Sequence, residues 1–470
     1  MKTDYDLICI GLGPAGMAVS AMGAAMGLKV CGIEKNKIGG ECMNVGCIPS
    51  KSLLKLAELN HAAARLSEIG LLKSGSIEME PPFARIAAYL DYISNKKTIK
   101  MFDQVHLVLK EGAAEFVDPH TVRVGGRTIS ARRIFIATGT EPMVPPIEGI
   151  DGVDFLTNLN VFDLKEIPAG MIIIGGGAIG CELAQAFARL GTKCTIVEMA
   201  DRLLPNGDPE AGKLLEQALT KEGIVVHLST KVASARPENG GVTLVTGAGD
   251  SIHADRLLLA AGRKIVLEGL NLDKAGVKTN GRAILVDGKY RTSAKHIYAV
   301  GDCNGGVMFS HAAMHQGMIA LMNAVSPWSL FSYKRHVIPW TVFTEPQVSF
   351  VGMRQEELER KGVRYRTHVA RYEDYGAAIA EHVGVGFVKV FASPLGRVYG
   401  VSIVGEGSGE MINEWALIVQ KKIRLHSVLF LAHSFPTMGF LSKRVAEMWM
   451  MQKMQSSFLR KMMCFFYRRL

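Results

Sequence analysis

Short apolar runs bounded by glycine alternate with longer stretches of small and apolar residues along most of the chain, the pattern of strands and helices in α/β layers. Asp6–Ile10 reads as a buried strand, Gly13–Gly27 as a helix of small residues and Val30–Glu34 as a second strand. The same strand, glycine loop, helix, strand order returns at Met171–Ile174, Gly180–Leu190 and Thr195–Glu198, about 165 residues later. Two nucleotide-binding halves are therefore expected. From Pro339 to Leu470 the texture changes, with strands expected at Gly386–Phe391 and Val398–Val404 and helical segments after them, so this part reads as a third domain.

At 470 residues the chain exceeds a single small core and is expected to hold about two to four domains. A hydrophobic fraction of 48% excludes a mostly disordered chain, and eight cysteines are too few for a disulfide-stapled secreted scaffold. The net charge of +10 would suit nucleic acid, a membrane surface or an anionic cofactor, and its location has to decide. Met1–Tyr5 leads straight into an apolar run without a basic region or cleavage site, so no signal peptide is read and the cytoplasm is the expected compartment. The longest stretch free of Asp, Glu, Lys and Arg, Cys303–Tyr333, has the length of a membrane span. His311, His315, Gln316 and Asn323 within it favour a buried helix of a soluble protein instead.

The first glycine loop is Gly11-Leu12-Gly13-Pro14-Ala15-Gly16, directly after a strand. Glycines there let the backbone approach a pyrophosphate, and the following helix offers free N–H groups and its positive end. Glu34 closes the second strand, where an acid accepts from ribose hydroxyls. The second loop, Gly175-Gly176-Gly177-Ala178-Ile179-Gly180, has Glu198 in the same place. An acid there favours the free 2′-hydroxyl of NAD over the 2′-phosphate of NADP, a preference that Arg202 can soften. Two dinucleotide sites in one chain point to electron transfer between FAD and NAD(H), and a redox element should lie between them. Gly39-Gly40-Glu41-Cys42-Met43-Asn44-Val45-Gly46-Cys47-Ile48-Pro49-Ser50-Lys51 supplies one. Two cysteines five apart at a helix start can reach disulfide distance, and a helix N-terminus favours the reactive thiolate. The other readings are unrelated cysteines or half of a metal site, but no second Cys/His pair has zinc spacing.

The segment Gly39–Lys51 resembles the active-site signature of the class I pyridine nucleotide–disulfide oxidoreductases, which include dihydrolipoamide dehydrogenase, mercuric reductase and glutathione reductase. Nearly the whole chain shares the resemblance. Ala137-Thr138-Gly139 is similar to the return to the flavin domain, Tyr298-Ala299-Val300-Gly301-Asp302 to the second flavin motif, and Pro339–Gly352 to the start of the dimerisation domain. The resemblance implies an α/β protein with two Rossmann-like domains, for FAD and NAD(P), plus an α+β C-terminal dimerisation domain. The FAD domain would comprise 1–150 and 280–338, the NAD domain 151–279 and the interface domain 339–470. It implies that Cys47 is the flavin-proximal sulfur, that Cys42 meets the substrate, and that Lys51 sits near flavin N5 paired with Glu182. Asp302 would reach the ribityl chain, and Thr138, Gly139 and Gly262 join the cofactor-binding set. A homodimer is expected, with the C-terminal segment of one subunit completing the active site of the other.

One departure matters. Dihydrolipoamide dehydrogenases carry His-x-His-Pro-Thr, with a Glu five residues after the second His, as the base for thiol interchange and its orienting partner. Here His433-Ser434-Phe435-Pro436-Thr437 puts Phe435 at the base and Phe440 at the Glu position. A phenyl ring cannot move a proton. His433 stands two residues earlier, either as a displaced base or as a hydrogen-bonded structural histidine. Mercuric reductases also lack the His but carry a Tyr there and a C-terminal cysteine pair, whereas this chain has only Cys464. The expected activity is electron transfer between NADH, FAD and the Cys42–Cys47 pair, with a thiol or disulfide substrate and an altered substrate side. The alternatives are a dihydrolipoyl dehydrogenase using His433, a membrane-associated NADH dehydrogenase and a metal reductase.

Cys9, Cys31, Cys181, Cys194 and Cys303 lie in or beside strands and glycine turns and read as small buried residues. His311 and His315 are one helical turn apart and read as buried beside the flavin rather than as metal ligands; no metal site is expected. The tail 448–470 places Met448, Met451, Met454, Phe458, Met462, Phe465 and Phe466 near one helical face, with Lys453, Arg460, Lys461, Arg468 and Arg469 on the rest. It reads as a helix packed on the dimer or covering the active site, or as one that binds a partner or lies on a membrane surface, at the inner face of the membrane. Between Lys443 and Leu470 stand seven basic residues and one acidic one, so the tail carries much of the charge excess and nucleic acid is not expected as a partner.

Overall fold

Buried β-branched runs followed by tight glycine turns give the chain its parallel sheets. The computed structural model describes residues 2–68, 80–328, 331–332, 336–455 and 457–469. The chain divides into two units, one of residues 1–175, 186–194 and 232–336, the other of 176–185, 195–231 and 337–470.

In the first unit, Tyr5–Ile10 lies between Val30–Glu34 and Arg127–Ile136, parallel to both. His106–Leu109 and Ile297–Ala299 extend the sheet, also in parallel. Ile8, Cys9, Val30, Cys31, Ile134 and Phe135 are buried, as strands covered on both faces must be. The register pairs Ile10 with Ile33 and Ile136, and Ile136 with Ala299. The loops after these strands, starting at Gly11, Lys35, Ala137 and Val300, therefore leave at one edge of the sheet. The helices Pro14–Ala25 and Ser310–Val325 pack closely enough that a Cβ on Gly317 would sit 2.6 Å from the Ala15 carbonyl oxygen. Smaller parallel pairings join Gly170–Ile174 and Phe155–Leu156 to Arg256–Leu259.

In the second unit, Thr195–Val197 of the strand Lys193–Val197 pair in parallel with Val225–His227. The C-terminal part is a five-stranded antiparallel sheet in the order Trp340–Val342, Val348–Gly352, Val398–Val404, Phe387–Ala392, Arg366–Arg371. Val388, Val390, Val401 and Ile403 of this sheet share a core with Ile412 and Trp415 of the helix Ser408–Lys421 and with Leu441, Val445 and Trp449 of the helix Phe440–Met454. Lys389 is buried against Asp208 at 2.9 Å and Glu210 at 2.7 Å. The strands and helices expected around the two glycine loops and the strands expected at Gly386–Phe391 and Val398–Val404 are present, with ends shifted by at most two residues.

The uncharged stretch forms the helix Ser310–Val325, with Ala312, Gln316, Gly317, Ile319 and Ala320 buried; Tyr333 lies outside the described residues. Among the described residues no helix is long and apolar enough to cross a membrane. The tail is not one helix: Met448, Met451 and Met454 belong to the helix Phe440–Met454, and the helix Ser457–Tyr467 follows, where Phe458 lies outside the described side chains.

His368, buried in the strand Arg366–Arg371, has its pKa lowered to about 4 by burial and by the charge of Arg366. It therefore folds neutral. The unfolded chain binds this proton below about pH 6.5 and the folded chain only near 4, so stability falls as pH drops through that window. The loss amounts to on the order of 3 kcal/mol. Thermal denaturation at pH 7 and pH 5 should show His368→Leu losing less stability between the two pH values than the parent; equal losses would refute the assignment.

Candidate active site

The sheet edge dictates the first loop. Gly11 has φ +94°, and a Cβ on it would sit 2.4 Å from the Ala137 carbonyl oxygen. A Cβ on Gly16 would lie 1.9 Å from the Gly11 oxygen, so only glycine lets the helix start this close to the strand. The buried Glu34 carboxylate accepts from Leu12 N and from Asn36 N, both at 2.8 Å. The second unit repeats this bonding: Glu198 accepts from Gly176 N at 2.5 Å and Ala200 N at 2.7 Å. Each acid thus fixes the middle of its glycine loop from the end of the next strand.

These sites fit dinucleotides by their own geometry. Gly139 and Gly177 have open space where a Cβ would stand, and Gly13 has only a contact at 4.0 Å with Gly40 Cα, so backbone amides are accessible there. Thr138 is exposed beside Gly139 at the same sheet edge. Asp302, at that edge too, accepts from Thr140 Oγ1 at 3.0 Å, and burial raises its pKa. FAD would be held by Gly11, Gly13, Gly16, Glu34, Thr138, Gly139 and Asp302. In the second unit the nicotinamide nucleotide would be held by Gly177, Gly180 and Glu198; in the first unit Gly175 and Gly262 have φ of +114° and +122°. Arg202 spends its guanidinium on Asp201 at 3.3 Å and the Pro205 carbonyl at 3.1 Å.

The cysteine pair sits where two short helical segments meet. Gly39 and Gly40 have φ of +92° and +55° and turn the chain into the helix Gly40–Asn44, which carries Cys42. Gly46 passes so close to the Glu41 carbonyl oxygen that a Cβ would lie 2.9 Å from it. Cys47 then opens the helix Cys47–Glu68, with Lys51 one turn on. Both cysteines are unbridged and half-buried. A hydrogen bond from the Cys42 thiol lowers the Cys47 pKa to about 6; burial opposes this, while Ser310 and the Lys51 charge assist. Cys42 is correspondingly raised, so the pair holds one thiolate, on Cys47.

Residues that motif reading passed over hold this segment. Glu41 accepts from Asn158 Nδ2 at 3.0 Å and is ion-paired with Arg263. Asn158 also donates to the Val45 carbonyl at 3.2 Å. Arg263 donates to Thr140 Oγ1 at 2.7 Å and to the Thr140 carbonyl at 2.9 Å. A hydrogen-bonded chain thus runs from Asp302 through Thr140 and Arg263 to Glu41, the residue before Cys42. The one sequence signal was Arg263 directly after Gly262.

The remaining sites lie in the second unit. Glu182 is buried and accepts from Phe343 N at 2.9 Å. His433 Nε2 stands 3.2 Å from Glu414 Oε1 and Nδ1 3.3 Å from the Leu431 carbonyl oxygen, with its side chain 8% exposed. Phe435, 70% exposed, meets Phe440 edge-on at 5.4 Å between ring centroids. Phe440 stacks on the buried Tyr375 at 6.0 Å, whose hydroxyl donates to the Thr437 carbonyl at 3.0 Å. Lys443 and Arg444 lie over the Phe440 ring at 5.9 and 6.0 Å.

Burial pushes Cys9, Cys31, Cys194 and Cys303 up to about 12, and raises Cys181 as well, so these five are unreactive thiols. The histidine pair departs from expectation: His311 is exposed and stacks on Phe309, and His315 is half-buried against His336, 4.6 Å between ring centroids. Among the described residues no cluster of three or more His, Cys, Asp or Glu is placed to hold a metal.

Residues 5–317 match the family described as pyridine nucleotide-disulphide oxidoreductase, and residues 338–444 match its dimerisation domain. A dihydrolipoyl dehydrogenase of Thermus scotoductus is 34% identical over 451 residues, covering 93% of this chain and 96% of its own length. A mercuric reductase of Bacillus cereus is 34% identical over 425 residues, covering 89% of this chain and 67% of its own. Among solved structures, the HOCl-induced flavoprotein disulfide reductase RclA from Escherichia coli superposes with a TM-score of 0.84 at 26% identity, over 95% of this chain and 99% of that one.

Removing the Arg263 charge leaves the half-buried Glu41 carboxylate without its cation. Arg263→Met should cost about 1–3 kcal/mol of stability and speed alkylation of Cys42 in the reduced protein, because its segment is freed. An unchanged melting temperature together with unchanged Cys42 reactivity would show that the network does not hold the segment.

Proposed function

This chain belongs to the pyridine nucleotide–disulphide oxidoreductases, enzymes that use FAD and NAD(P)H, and from that premise we propose that it reduces an external disulfide or similar acceptor with electrons from NADH. Bound FAD would carry the electron pair between the nicotinamide and the cysteines. The Cys42–Cys47 disulfide then takes two electrons and one proton, the equivalent of one hydride, giving a thiol at Cys42 and a thiolate at Cys47. Cys42 gives up its proton as it attacks the acceptor disulfide; the first leaving thiolate takes up that proton, and the Cys47 thiolate closes on Cys42 to re-form the disulfide and expel the second thiolate. The dimerisation domain implies a homodimer in which this chemistry takes place.

The observation that carries the altered substrate side is the aromatic cluster in which Phe435 and Phe440 occupy the positions where the resemblance expects a base and its orienting acid, packed on Tyr375. The group that takes a proton from a dithiol in one direction returns it in the other, so its loss slows thiol interchange both ways. Exchange with a small substrate such as free dihydrolipoamide then has no protein base to rely on, and the surface around Phe435 decides which acceptor is held long enough to react. Exposed Phe435 favours an acceptor with apolar or aromatic surface, and Lys443 and Arg444 beside Phe440 favour one with negative charge. His433 serves as a clamp between Glu414 and the Leu431 carbonyl. A metal acceptor has less support, since Cys464 is the single cysteine after residue 338. NADH is preferred to NADPH, because Glu198 takes the 2′-hydroxyl position and Arg202 is engaged elsewhere.

The basic tail is proposed to lie on anionic lipid. Arg460 and Lys461 accompany exposed Met462, Met463, Phe465 and Phe466 on the helix Ser457–Tyr467, Arg468 and Arg469 follow it directly, and residues 448–470 hold no acidic residue. Sedimentation of the holoenzyme with phosphatidylglycerol vesicles should fall at least about fivefold on deletion of 457–470, and equal binding would remove the lipid reading.

Steady-state kinetics test the main reading. NADH-dependent reduction of an anionic aromatic disulfide should exceed NAD-dependent oxidation of free dihydrolipoamide by at least about tenfold in kcat/KM. His433→Gln should change turnover less than about threefold, against the 10²–10⁴-fold expected for a general base. The reading fails if dihydrolipoamide is oxidised as fast as the disulfide is reduced, or if Cys42→Ser leaves disulfide reduction intact.

A further inference from the structure

The geometry assigns Ser310 a part in the redox centre: we propose that its hydroxyl donates to the Cys47 sulfur and holds it as the thiolate when the Cys42–Cys47 bond opens. The inference rests on the redox-pair reading above. Ser310 Oγ lies 3.2 Å from Cys47 Sγ although the two residues are 263 apart in the chain. Their meeting is a product of the fold and of no local motif.

Two helix starts converge there. Cys47 is the first residue of the helix Cys47–Glu68, and Ser310 is the first residue of the 16-residue helix Ser310–Val325, entered from the extended Phe309. Each start presents the positive end of its helix dipole. The groups that act on Cys47 are Cys42 from the helix Gly40–Asn44, Lys51 from its own helix and Ser310 from the third. His311, next to Ser310, stacks on Phe309.

The protonation states separate these groups. A thiolate has no proton, so once Cys47 is ionised the hydrogen bond runs one way, from the serine hydroxyl to the sulfur, and is charge-assisted. Cys42 can donate to Cys47 only after the S–S bond has broken and Cys42 has taken up its proton. Ser310 carries its proton before and after reduction. It is therefore the hydrogen-bond donor already in place as the electron pair arrives, the S–S bond breaks, the proton goes to Cys42 and negative charge settles on Cys47. Ser310 acts through Cys47 and is a positioning residue.

The test is a pH titration of the two-electron-reduced holoenzyme, following the long-wavelength absorbance of a thiolate beside the flavin. In parallel, iodoacetamide alkylation of Cys47 is read site by site by mass spectrometry. The parent midpoint is expected near 6. Ser310→Ala should move it up by about one pH unit, a roughly tenfold loss of thiolate below both midpoints, and Ser310→Gly should do the same. Ser310→Thr, which keeps the hydroxyl, should restore the parent midpoint. A midpoint unmoved in folded Ser310→Ala or Ser310→Gly overturns the proposal, because a packing role would alter stability and leave the titration alone. Absence of the band in the parent overturns the redox-pair reading instead, and the alkylation midpoints still decide the role of Ser310.

Discussion

Parallel pairing of Tyr5–Ile10 with Val30–Glu34 and Arg127–Ile136, extended by Ile297–Ala299, is the constraint from which the redox half of this protein follows. Parallel strands in register send every following loop out at one edge. Gly11, Glu34, Ala137 and Asp302 come from four separate parts of the sequence and reach one edge for that reason alone. The buried aliphatic side chains that hold the register are thus as much a condition of the chemistry as the polar groups at the edge.

The electrostatics divide into two kinds. Glu34 and Glu198 spend carboxylate oxygens on backbone amides of their own glycine loops, which fixes the loops before any ligand arrives. Cys47 is treated oppositely: burial disfavours its charge, and Cys42, Ser310 and Lys51 together overcome that penalty. The five other buried cysteines have burial without sufficient compensation and stay protonated. One residue type is inert or reactive in this chain according to whether donors and positive charge meet it.

The C-terminal segment shows a site changed without loss of its scaffold. The turn carrying Phe435 is fixed by Tyr375 through the Thr437 carbonyl, and Phe440 stacks on the same tyrosine. Aromatic packing fills the place where the family resemblance puts a proton relay. His433, the nearest histidine in sequence, has its nitrogens directed at a carboxylate and a carbonyl. The segment keeps its turn while its exposed side chain is the aromatic Phe435, with Lys443 and Arg444 beside Phe440.

The sequence by itself determined the strands, the two glycine loops with their acids and the cysteine pair. Each of these is local: alternation, glycine spacing and an acid at a strand end act within about 25 residues, over which the chain's own geometry places them. It also exposed the loss of the base, because Phe435 and Phe440 are read directly against the signature. What only the tertiary structure decided is long-range. Ser310 reaches Cys47 from 263 residues away. Arg263 reaches Glu41 across 222 residues. Serine, arginine and glutamate are common surface residues with no spacing that marks them. Their roles arise when sheet register and helix packing bring them to a buried charge, where a single hydrogen bond outweighs what any of them would do in water.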